Sequence, residues 1–257
     1  MFENLFSLKG KVAIITGGSR GIGRAIALAY AEAGADVVVS SRNKRPPELE
    51  KVAEEIQTLG KRALPVPAHV GKKEDVETLV RKTLHAFGRI DILVNNAGAN
   101  PVLSAMVDLE EDSFDKVLEV NLKGAFLMSR TVAREMIKQG GGRIINMSSI
   151  SGLRARADGT GAYCISKAAI NMMTQVMARE LAPHHILVNA IAPGSIKTDF
   201  SRVNWTDPER KAQRIREIEL KRFGEPEEVV GIALFLASDA GSFVTGEIIR
   251  VDGGQTI

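Results

Sequence analysis

The sequence has little cysteine and histidine and no long apolar run, and each shortage excludes a class of protein. One cysteine, Cys164, rules out an intrachain disulfide framework, and the four histidines form no Cys/His cluster with metal-ligand spacing, so we expect no metal site. No run of about eighteen apolar residues could span a bilayer. The first ten residues lack the pattern of a secretory signal, and the terminal Gln255-Thr256-Ile257 matches neither a peroxisomal nor an ER-retention tail. We therefore expect a cytoplasmic protein that does not act at a membrane.

Charge of one sign is also scarce. The chain has 34 basic and 31 acidic residues, and although its pI is near 9, no lysine or arginine block forms a nucleic-acid footprint. Nucleic acid is therefore not an expected partner. Hydrophobic residues make up 44% of the 257 residues, enough to bury a large core, and we expect one domain over residues 1–257.

Short apolar runs rich in β-branched residues alternate with helical periodicity along the chain. The predicted strands span residues 12–15, 37–40, 63–66, 90–94, 143–147, 186–191 and 247–251. The predicted helices span residues 22–33, 48–59, 73–87, 113–138, 162–181 and 226–237. Seven strands separated by helices indicate a parallel sheet covered on both faces, which is a doubly wound α/β fold.

One irregular stretch follows the sixth predicted strand, at about residues 194–222, and most of its charged residues fall within 201–222. A solvated helical insertion is one interpretation of this pattern. A substrate lid is the other, because ligands bind at the carboxyl ends of strands in such sheets.

A glycine-rich turn joins the first strand to the first helix of the alternation, in Thr16-Gly17-Gly18-Ser19-Arg20-Gly21-Ile22-Gly23. Glycines there let the backbone turn sharply and approach a pyrophosphate at the helix N-terminus. The spacing is Gly-x-x-x-Gly-x-Gly, and a plain strand-to-helix turn is the alternative. The predicted dinucleotide contacts are Gly17, Ser19, Arg20, Gly21, Ile22 and Gly23.

The second strand ends in Ser40-Ser41-Arg42-Asn43, without the carboxylate that would hold a ribose 2′-hydroxyl. Arg42 and Arg20 could instead pair with a 2′-phosphate, since guanidinium binds phosphate through charge-assisted hydrogen bonds. We therefore expect NADP(H), with Ser41 and Arg42 in contact with it, in preference to NAD(H), which is the alternative cofactor. Ordinary surface arginines are the alternative.

Two further segments place polar groups at the same edge of the sheet. The fourth strand ends in Asn95-Asn96-Ala97-Gly98, which predicts cofactor contacts from Asn95, Ala97 and Gly98, although a turn without function also uses these residue types. Ser149 follows the fifth strand; its neighbour Ser148 would point to the opposite face.

Tyr163 and Lys167 are four residues apart on a predicted helix, so both project from one face and the cation can favour tyrosinate. Such a pair alone is more often a half-buried aromatic and a solvated amine.

With these motifs in order, and with Asn121 between them, the chain resembles the short-chain dehydrogenase/reductase family over essentially its whole length. Pro193-Gly194, Ile196, Thr198 and Val251-Asp252-Gly253-Gly254 are similar to the family's later motifs. The resemblance implies a Rossmann-type fold and hydride transfer between nicotinamide and a ketone or secondary alcohol. It also implies a homotetramer that pairs the helices containing Asn121 and Tyr163.

The resemblance assigns roles to individual residues. Tyr163 would exchange the proton with the substrate oxygen, which Ser149 would hydrogen-bond. Lys167 would lower the tyrosine pKa and hold the nicotinamide ribose, and Asn121 would interrupt its helix and hold a water. Nicotinamide contacts would come from Pro193, Gly194, Ile196 and Thr198.

One departure concerns His69-Val70, where many members have Asp-Val and the acid contacts the adenine amine. A neutral histidine nitrogen could accept that bond instead.

The leading functional hypothesis is an NADP(H)-dependent carbonyl reductase or secondary alcohol dehydrogenase for an apolar ketone. Its pocket would be lined by Asn100-Pro101-Val102-Leu103, Gly152-Leu153 and residues 200–205, much of which is apolar. A 3-oxoacyl-[acyl-carrier-protein] reductase is the alternative within the family. A non-catalytic NADP(H)-binding sensor or scaffold is the alternative of another class.

Overall fold

A computed structural model of the chain describes residues 2–42, 48–100 and 102–257. Asn43 and Pro101, named in two of the predictions above, lie outside these ranges. Across the described ranges, no helix has the length and apolar character needed to cross a membrane.

Seven parallel strands form one sheet, and each predicted strand is confirmed with ends that shift by at most two residues. The strands are β1 (Val12–Thr16), β2 (Asp36–Ser41), β3 (Ala63–Pro67), β4 (Ile92–Asn95), β5 (Gly142–Met147), β6 (Ile186–Pro193) and β7 (Ile248–Val251). Their spatial order is β3-β2-β1-β4-β5-β6-β7. The order reverses between β1 and β4, which is where doubly wound sheets bind ligands.

Helices cover both faces of the sheet. They are α1 (Phe2–Leu5), α2 (Gly21–Glu32), α3 (Glu48–Thr58), α4 (Lys73–Phe87), α5 (Glu111–Leu118), α6 (Gly124–Gln139), α7 (Gly161–Leu181), α8 (Arg202–Thr206), α9 (Pro208–Glu217) and α10 (Val230–Ala237). One buried cluster joins the sheet to α2, α3 and α10, and a second joins it to α4, α6 and α7. This confirms the predicted doubly wound α/β fold.

The long predicted helix at residues 113–138 contains a defect. Between α5 and α6 the chain forms a π-helical turn, Glu119–Lys123, in which the Gly124 N–H bonds the Glu119 carbonyl five residues back. Such turns are rare and occur mostly as single insertions in longer helices. Asn121 lies within it and is buried, so the expected interruption at Asn121 is present.

Candidate active site

A cavity of about 790 Å³ opens along the carboxyl edge of the sheet. Its lining includes most of the predicted site residues: Gly17, Ser19, Arg20, Gly21, Ile22, Ser41, Arg42, His69, Val70, Ala97, Gly98, Ser149, Tyr163, Lys167, Pro193, Gly194, Ile196 and Thr198. The fold therefore brings together residues that are up to 181 positions apart in the sequence. Three of the predicted site residues in the described part of the chain do not line the cavity: Gly23, Asn95 and Asn121. They contribute to the packing around it.

The glycine-rich turn is shaped by close backbone approach. Gly17 and Gly21 have φ values of +65° and +54°, which glycine adopts without strain. A Cβ at Gly17 would lie 2.8 Å from the Asn96 side-chain nitrogen, and one at Gly23 would overlap both that nitrogen and the Gly17 carbonyl. Gly23 thus allows α2 to pack under the turn. It is a packing residue rather than the predicted cofactor contact.

The start of α2 is suited to an anion. Arg20 precedes the helix with extended backbone, and no side-chain hydrogen bond from it caps the first turn. The first N–H groups of a helix lack partners within the helix, and the helix dipole favours negative charge there. Arg20 extends instead across the cavity edge, where its Nη1 lies 3.5 Å from Asp199 Oδ2. The site therefore fits a pyrophosphate with a cation beside it.

The end of β2 carries polar atoms without partners. Within residues 2–42, 48–100 and 102–257, the buried side-chain oxygens of Ser40 and Ser41 accept and donate no hydrogen bond. Such groups are costly when buried unless a ligand or water satisfies them. Both serines and Arg42 line the cavity, and Glu48 contributes one acidic side chain nearby. These residues fit a ribose that carries a phosphate.

Both ring nitrogens of His69 lie near other polar groups of the chain. Its Nδ1 accepts the Gly71 N–H at 3.2 Å, and Lys116 Nζ lies 3.5 Å from its Nε2. Neutral imidazole has one acceptor nitrogen, and the closer, well-aligned Gly71 contact uses it. Burial and then Lys116 lower the pKa of His69, so the neutral form is favoured. Both ring nitrogens thus have a polar neighbour within the chain, and the contact of His69 with an adenine amine stays a prediction.

The three central catalytic candidates meet in the cavity. Tyr163 lies in the first turn of α7, Lys167 one turn later, and Ser149 just after β5. The Ser149 side chain lowers the pKa of Tyr163, against the larger effect of burial, and Lys167 Nζ lies 5.5 Å from the centre of the Tyr163 ring. Ser148 instead donates to Asn171 Oδ1 at 2.5 Å. This bond agrees with the prediction that Ser148 and Ser149 point to opposite faces.

Burial dominates the pKa values of this group. Desolvation raises the pKa of Tyr163 to about 12, and the Ser149 side chain opposes that rise. Desolvation also lowers the pKa of Lys167 to about 8. The direction is opposite to the expected lowering of the tyrosine pKa, because burial is the largest effect on the phenol in this structure. Lys167 Nζ donates to the Met147 carbonyl at 2.6 Å.

Asn121 holds two segments in place around the cavity. Its Nδ2 donates to the Ala99 carbonyl and to Ser166 Oγ, both at 3.0 Å, and its Oδ1 accepts the Ala99 N–H at 2.7 Å. The loop after β4 and helix α7 are thereby fixed to the π-helical turn. A water bound by Asn121 remains a prediction.

Asn95 begins a buried ladder of polar side chains. Its Nδ2 donates to Ser129 Oγ and Asn146 Oδ1, both at 2.8 Å, and Asn146 donates to Thr174 Oγ1 at 2.9 Å. The ladder crosses from β4 through β5 to α7, and Asn95 does not line the cavity, so its cofactor contact stays a prediction. Sequence reasoning missed Asn146, although a polar residue inside the apolar run of β5 was a usable signal.

The substrate end of the cavity is more polar than expected. Of the residues predicted to line it, the following do so: Asn100, Leu103, Phe200, Ser201, Val203 and Asn204. The other described ones do not: Val102, Gly152, Leu153, Arg202 and Trp205. Sequence analysis missed a set of polar residues that also lines it: Ser151, Arg156, Asp158, Thr160, Arg210 and Arg214. The Phe200 ring lies 5.8 Å from that of Tyr163, so apolar surface remains beside the phenol.

Gln255 connects the substrate end of the cavity to the loop after β6, which contains Ser195 and is called the nicotinamide loop below. It is buried, and its Oε1 accepts from the Ser195 N–H at 3.1 Å and from Ser195 Oγ at 3.0 Å. Its Nε2 donates to Glu217 Oε2 at 3.2 Å. Ser195 lies between Gly194 and Ile196, so the C-terminal segment positions both that loop and α9.

Known proteins resemble the chain over nearly its full length. A family model described as Enoyl-(Acyl carrier protein) reductase matches residues 17–256. Human dehydrogenase/reductase SDR family member 4 is 42% identical over 247 residues, covering 96% of this chain and 88% of the relative. An NAD-dependent glycerol dehydrogenase of Listeria innocua is 43% identical, with coverages of 100% and 98%. A gluconate 5-dehydrogenase of Burkholderia cenocepacia, solved with NADP and tartrate, has a TM-score of 0.94, 34% identity and coverages of 100% and 99%.

Proposed function

The chain belongs to the short-chain dehydrogenase/reductase family, and we propose that it is an NADP(H)-dependent oxidoreductase in which Tyr163 is the general acid and base for a ketone or secondary alcohol. The family assignment carries the coarser statement, an enzyme that acts on CH–OH groups. One observation carries the rest. Ser149, Tyr163 and Lys167 line one cavity together with the glycine-rich turn.

The chemistry of the three side chains follows from their protonation. Nicotinamide, when bound, supplies or accepts the hydride. Because the pKa of Tyr163 is about 12, the phenol is protonated at neutral pH and can donate to a carbonyl oxygen. Ser149 donates a hydrogen bond to the same oxygen and stabilises its developing charge. Lys167, whose pKa is about 8, is mostly cationic at neutral pH and stabilises the phenolate left behind.

The preference for NADP(H) rests on the end of β2. Arg42, together with Ser41 and Arg20, provides donors and positive charge for a 2′-phosphate, and Glu48 opposes them with one carboxylate. The relatives do not share one cofactor, since one is named as NAD-dependent and another was solved with NADP. The arginines of this chain therefore carry the proposal.

The remaining cofactor contacts are proposed from cavity position. Gly17, Ser19, Gly21 and Ile22 would hold the pyrophosphate against α2. Val70, Ala97 and Gly98 would flank the adenosine half. Pro193, Gly194, Ile196 and Thr198 would hold the nicotinamide, with Lys167 on its ribose.

A lid and an assembly complete the proposal. Residues 194–222, which contain α8 and α9, cover the substrate end and would act as its lid. Helix α7 leaves Ala168, Met172 and Val176 exposed, which suits the helix pairing of a homotetramer. Light scattering that reports a monomer would exclude that assembly.

The acyl-carrier-protein alternative is weaker. Docking an acidic carrier requires a basic face, yet lid arginines are engaged within the chain. Arg214 pairs with Glu217 at 3.1 Å, and Arg222 pairs with Glu228 at 2.6 Å. Partnered arginines contribute little to long-range attraction of an acidic partner.

The test uses the absorbance of reduced nicotinamide with NADPH and separately NADH, against ketones, polyols, sugars and an acetoacetyl thioester. Tyr163→Phe should lower kcat by about 10²- to 10⁴-fold, the usual contribution of general acid–base catalysis. The other tyrosine provides the matched control, because Tyr30 is buried and its hydroxyl bonds the Ala233 carbonyl away from the cavity. Tyr30→Phe should retain turnover. Equal activity of the two variants would refute the role of Tyr163.

A further inference from the structure

Two arginines and two carboxylates form a compact cluster at the substrate end of the cavity. We call this cluster, Arg156, Asp158, Arg214 and Glu217, the charged quartet. Asp158 Oδ2 accepts Arg156 Nε at 2.9 Å and Arg214 Nη2 at 2.6 Å. Glu217 Oε2 accepts Arg214 Nη1 at 3.1 Å and Arg156 Nη2 at 3.4 Å. The two arginine side chains are only 12% and 11% exposed.

The quartet is held rigidly from outside. Thr160 Oγ1 donates to Asp158 Oδ1 at 2.5 Å, and Gln255 donates to Glu217. Burial by itself would raise the pKa of Asp158, but hydrogen bonds from Thr160 and Arg156 lower it, so the carboxylate stays ionised. Fixed polar groups lose little freedom when they bind a ligand, which favours their use in recognition.

The quartet offers both donors and acceptors without formal net charge. Each arginine has five N–H groups, and the four bonds within the quartet use two from each. Arg156, Asp158 and Arg214 all line the cavity, and their side chains carry N–H donors and a carboxylate acceptor. A hydroxyl group both donates and accepts, and it matches such a surface. An alkyl chain would bury these groups without partners, which costs free energy.

A carboxylate on the substrate would match the surface less well. The arginines would attract the carboxylate, but Asp158, which is already paired with both arginines, would repel it. Like charges at close range raise the free energy of binding, so the quartet itself discriminates in favour of neutral groups over carboxylates.

We infer that the substrate is a neutral polyhydroxylated alcohol, or the ketose formed from it, whose remote hydroxyl groups bind the charged quartet. This inference rests on the proposed function. In the oxidative direction, one secondary CH–OH group gives its hydride to NADP⁺ and its hydroxyl proton to the phenolate form of Tyr163, which the Lys167 cation stabilises, and a ketone results. The other hydroxyl groups do not react and serve to orient the chain.

The first experiment compares substrates of equal length. Purified enzyme and NADP⁺ are assayed with xylitol, ribitol and arabitol, with 2-pentanol, and with the corresponding pentonates. We expect kcat/KM for the best pentitol to exceed that for 2-pentanol by at least about 100-fold, because a site that hydrogen-bonds hydroxyls rejects analogues without them. It should exceed that for every pentonate by at least about 10-fold. Tyr163-dependent turnover that is as efficient with 2-pentanol or a pentonate overturns the inference and leaves the proposed function intact.

A failure of the proposed function gives a different result. In that case NADP⁺ still raises the melting temperature, but no alcohol of the panel is oxidised and no matching ketone is reduced. Because the inference depends on turnover at this site, that outcome overturns both.

The second experiment changes the charge of the quartet. Asp158→Asn keeps the side-chain shape but leaves two arginines with one carboxylate. We expect the pentonate-to-pentitol ratio of kcat/KM to rise by about 10-fold or more. Asp36→Asn is the matched control, since Asp36 pairs with Arg62 at the start of β2, outside the cavity lining. An equal ratio in the two variants contradicts the inference.

A variant of opposite sign protects this test against misfolding. Arg214→Gln removes a cation, and the pentonate-to-pentitol ratio should fall below that of the unmodified enzyme. Circular dichroism and the shift in melting temperature with NADP⁺ identify folded variants. A folded Arg214→Gln enzyme whose ratio rises or stays unchanged overturns the inference even if Asp158→Asn does not fold.

Discussion

The two ends of the cavity are built by different means. At the cofactor end, backbone lies against backbone, and glycines such as Gly17 and Gly23 supply the space. At the substrate end, charged side chains hold the wall together, with partners 56 and 61 residues apart in the sequence. An added methyl group should therefore damage the first end most, whereas a changed charge should damage the second. Substitutions at one end should therefore change cofactor affinity, and substitutions at the other end should change substrate selectivity.

The largest effect should come from Gly23→Ala. The new Cβ would overlap the Gly17 carbonyl and the Asn96 side chain, and backbone atoms cannot yield cheaply. We expect NADPH affinity to fall by more than about 100-fold, or about 3 kcal/mol. Gly231→Ala is the control, because no atom of the described residues lies within 4 Å of a Cβ there. Fluorescence titration with NADPH compares them, and equal affinity would refute the backbone account of this end.

Between the two ends, Lys167→Met should change how stability depends on pH. The pKa of Lys167 is lowered to about 8, whereas an unfolded lysine titrates near pH 10.4. Between these values the unfolded chain binds more protons, so the unmodified protein gains stability as pH rises, by up to about 3 kcal/mol. Lys167→Met lacks this gain. Thermal unfolding from about pH 7 to 10 should show the unmodified protein gaining relative to the variant; parallel curves would contradict it.

The smallest effect concerns a side chain at the backbone-built end. Arg42→Gln should weaken NADPH binding by about 10- to 100-fold, the value of one or two charge-assisted hydrogen bonds. NADH lacks the phosphate and provides an internal control, so its affinity should remain. Calorimetric titration of both cofactors measures the ratio. Parallel losses for NADPH and NADH would show that Arg42 does not select the phosphate.

Local patterns made the fold and the cofactor end predictable. Parallel strands buried on both faces appear as apolar runs, and the glycine spacing requires its turn wherever the partners lie. Tyr163 and Lys167 are also local, since one helical turn fixes their relation. The expected break at Asn121 is present as a π-helical turn within an otherwise correctly predicted helix.

The substrate end was not predictable in the same way. Arg156 and Arg214 have no local pattern that distinguishes them from solvated arginines, and only the tertiary fold brings Arg214 to Asp158. The pKa shift of Tyr163 in the structure is also opposite in direction to the expected one, for a related reason. The sequence shows the charge of Lys167, but it does not show how much water the folded chain removes from the phenol.

Gln255 joins these two ends through a short chain of bonds, from Glu217 in α9 to Ser195 beside the nicotinamide loop. A ligand at one end that changes these bonds would also change binding at the other end, which is thermodynamic linkage. If a substrate on the lid strengthens these bonds and so favours binding of the cofactor, the cofactor favours binding of the substrate by the same free energy. The order in which the two ligands associate would then change the path but not the total, and Gln255 is the residue through which that coupling would pass.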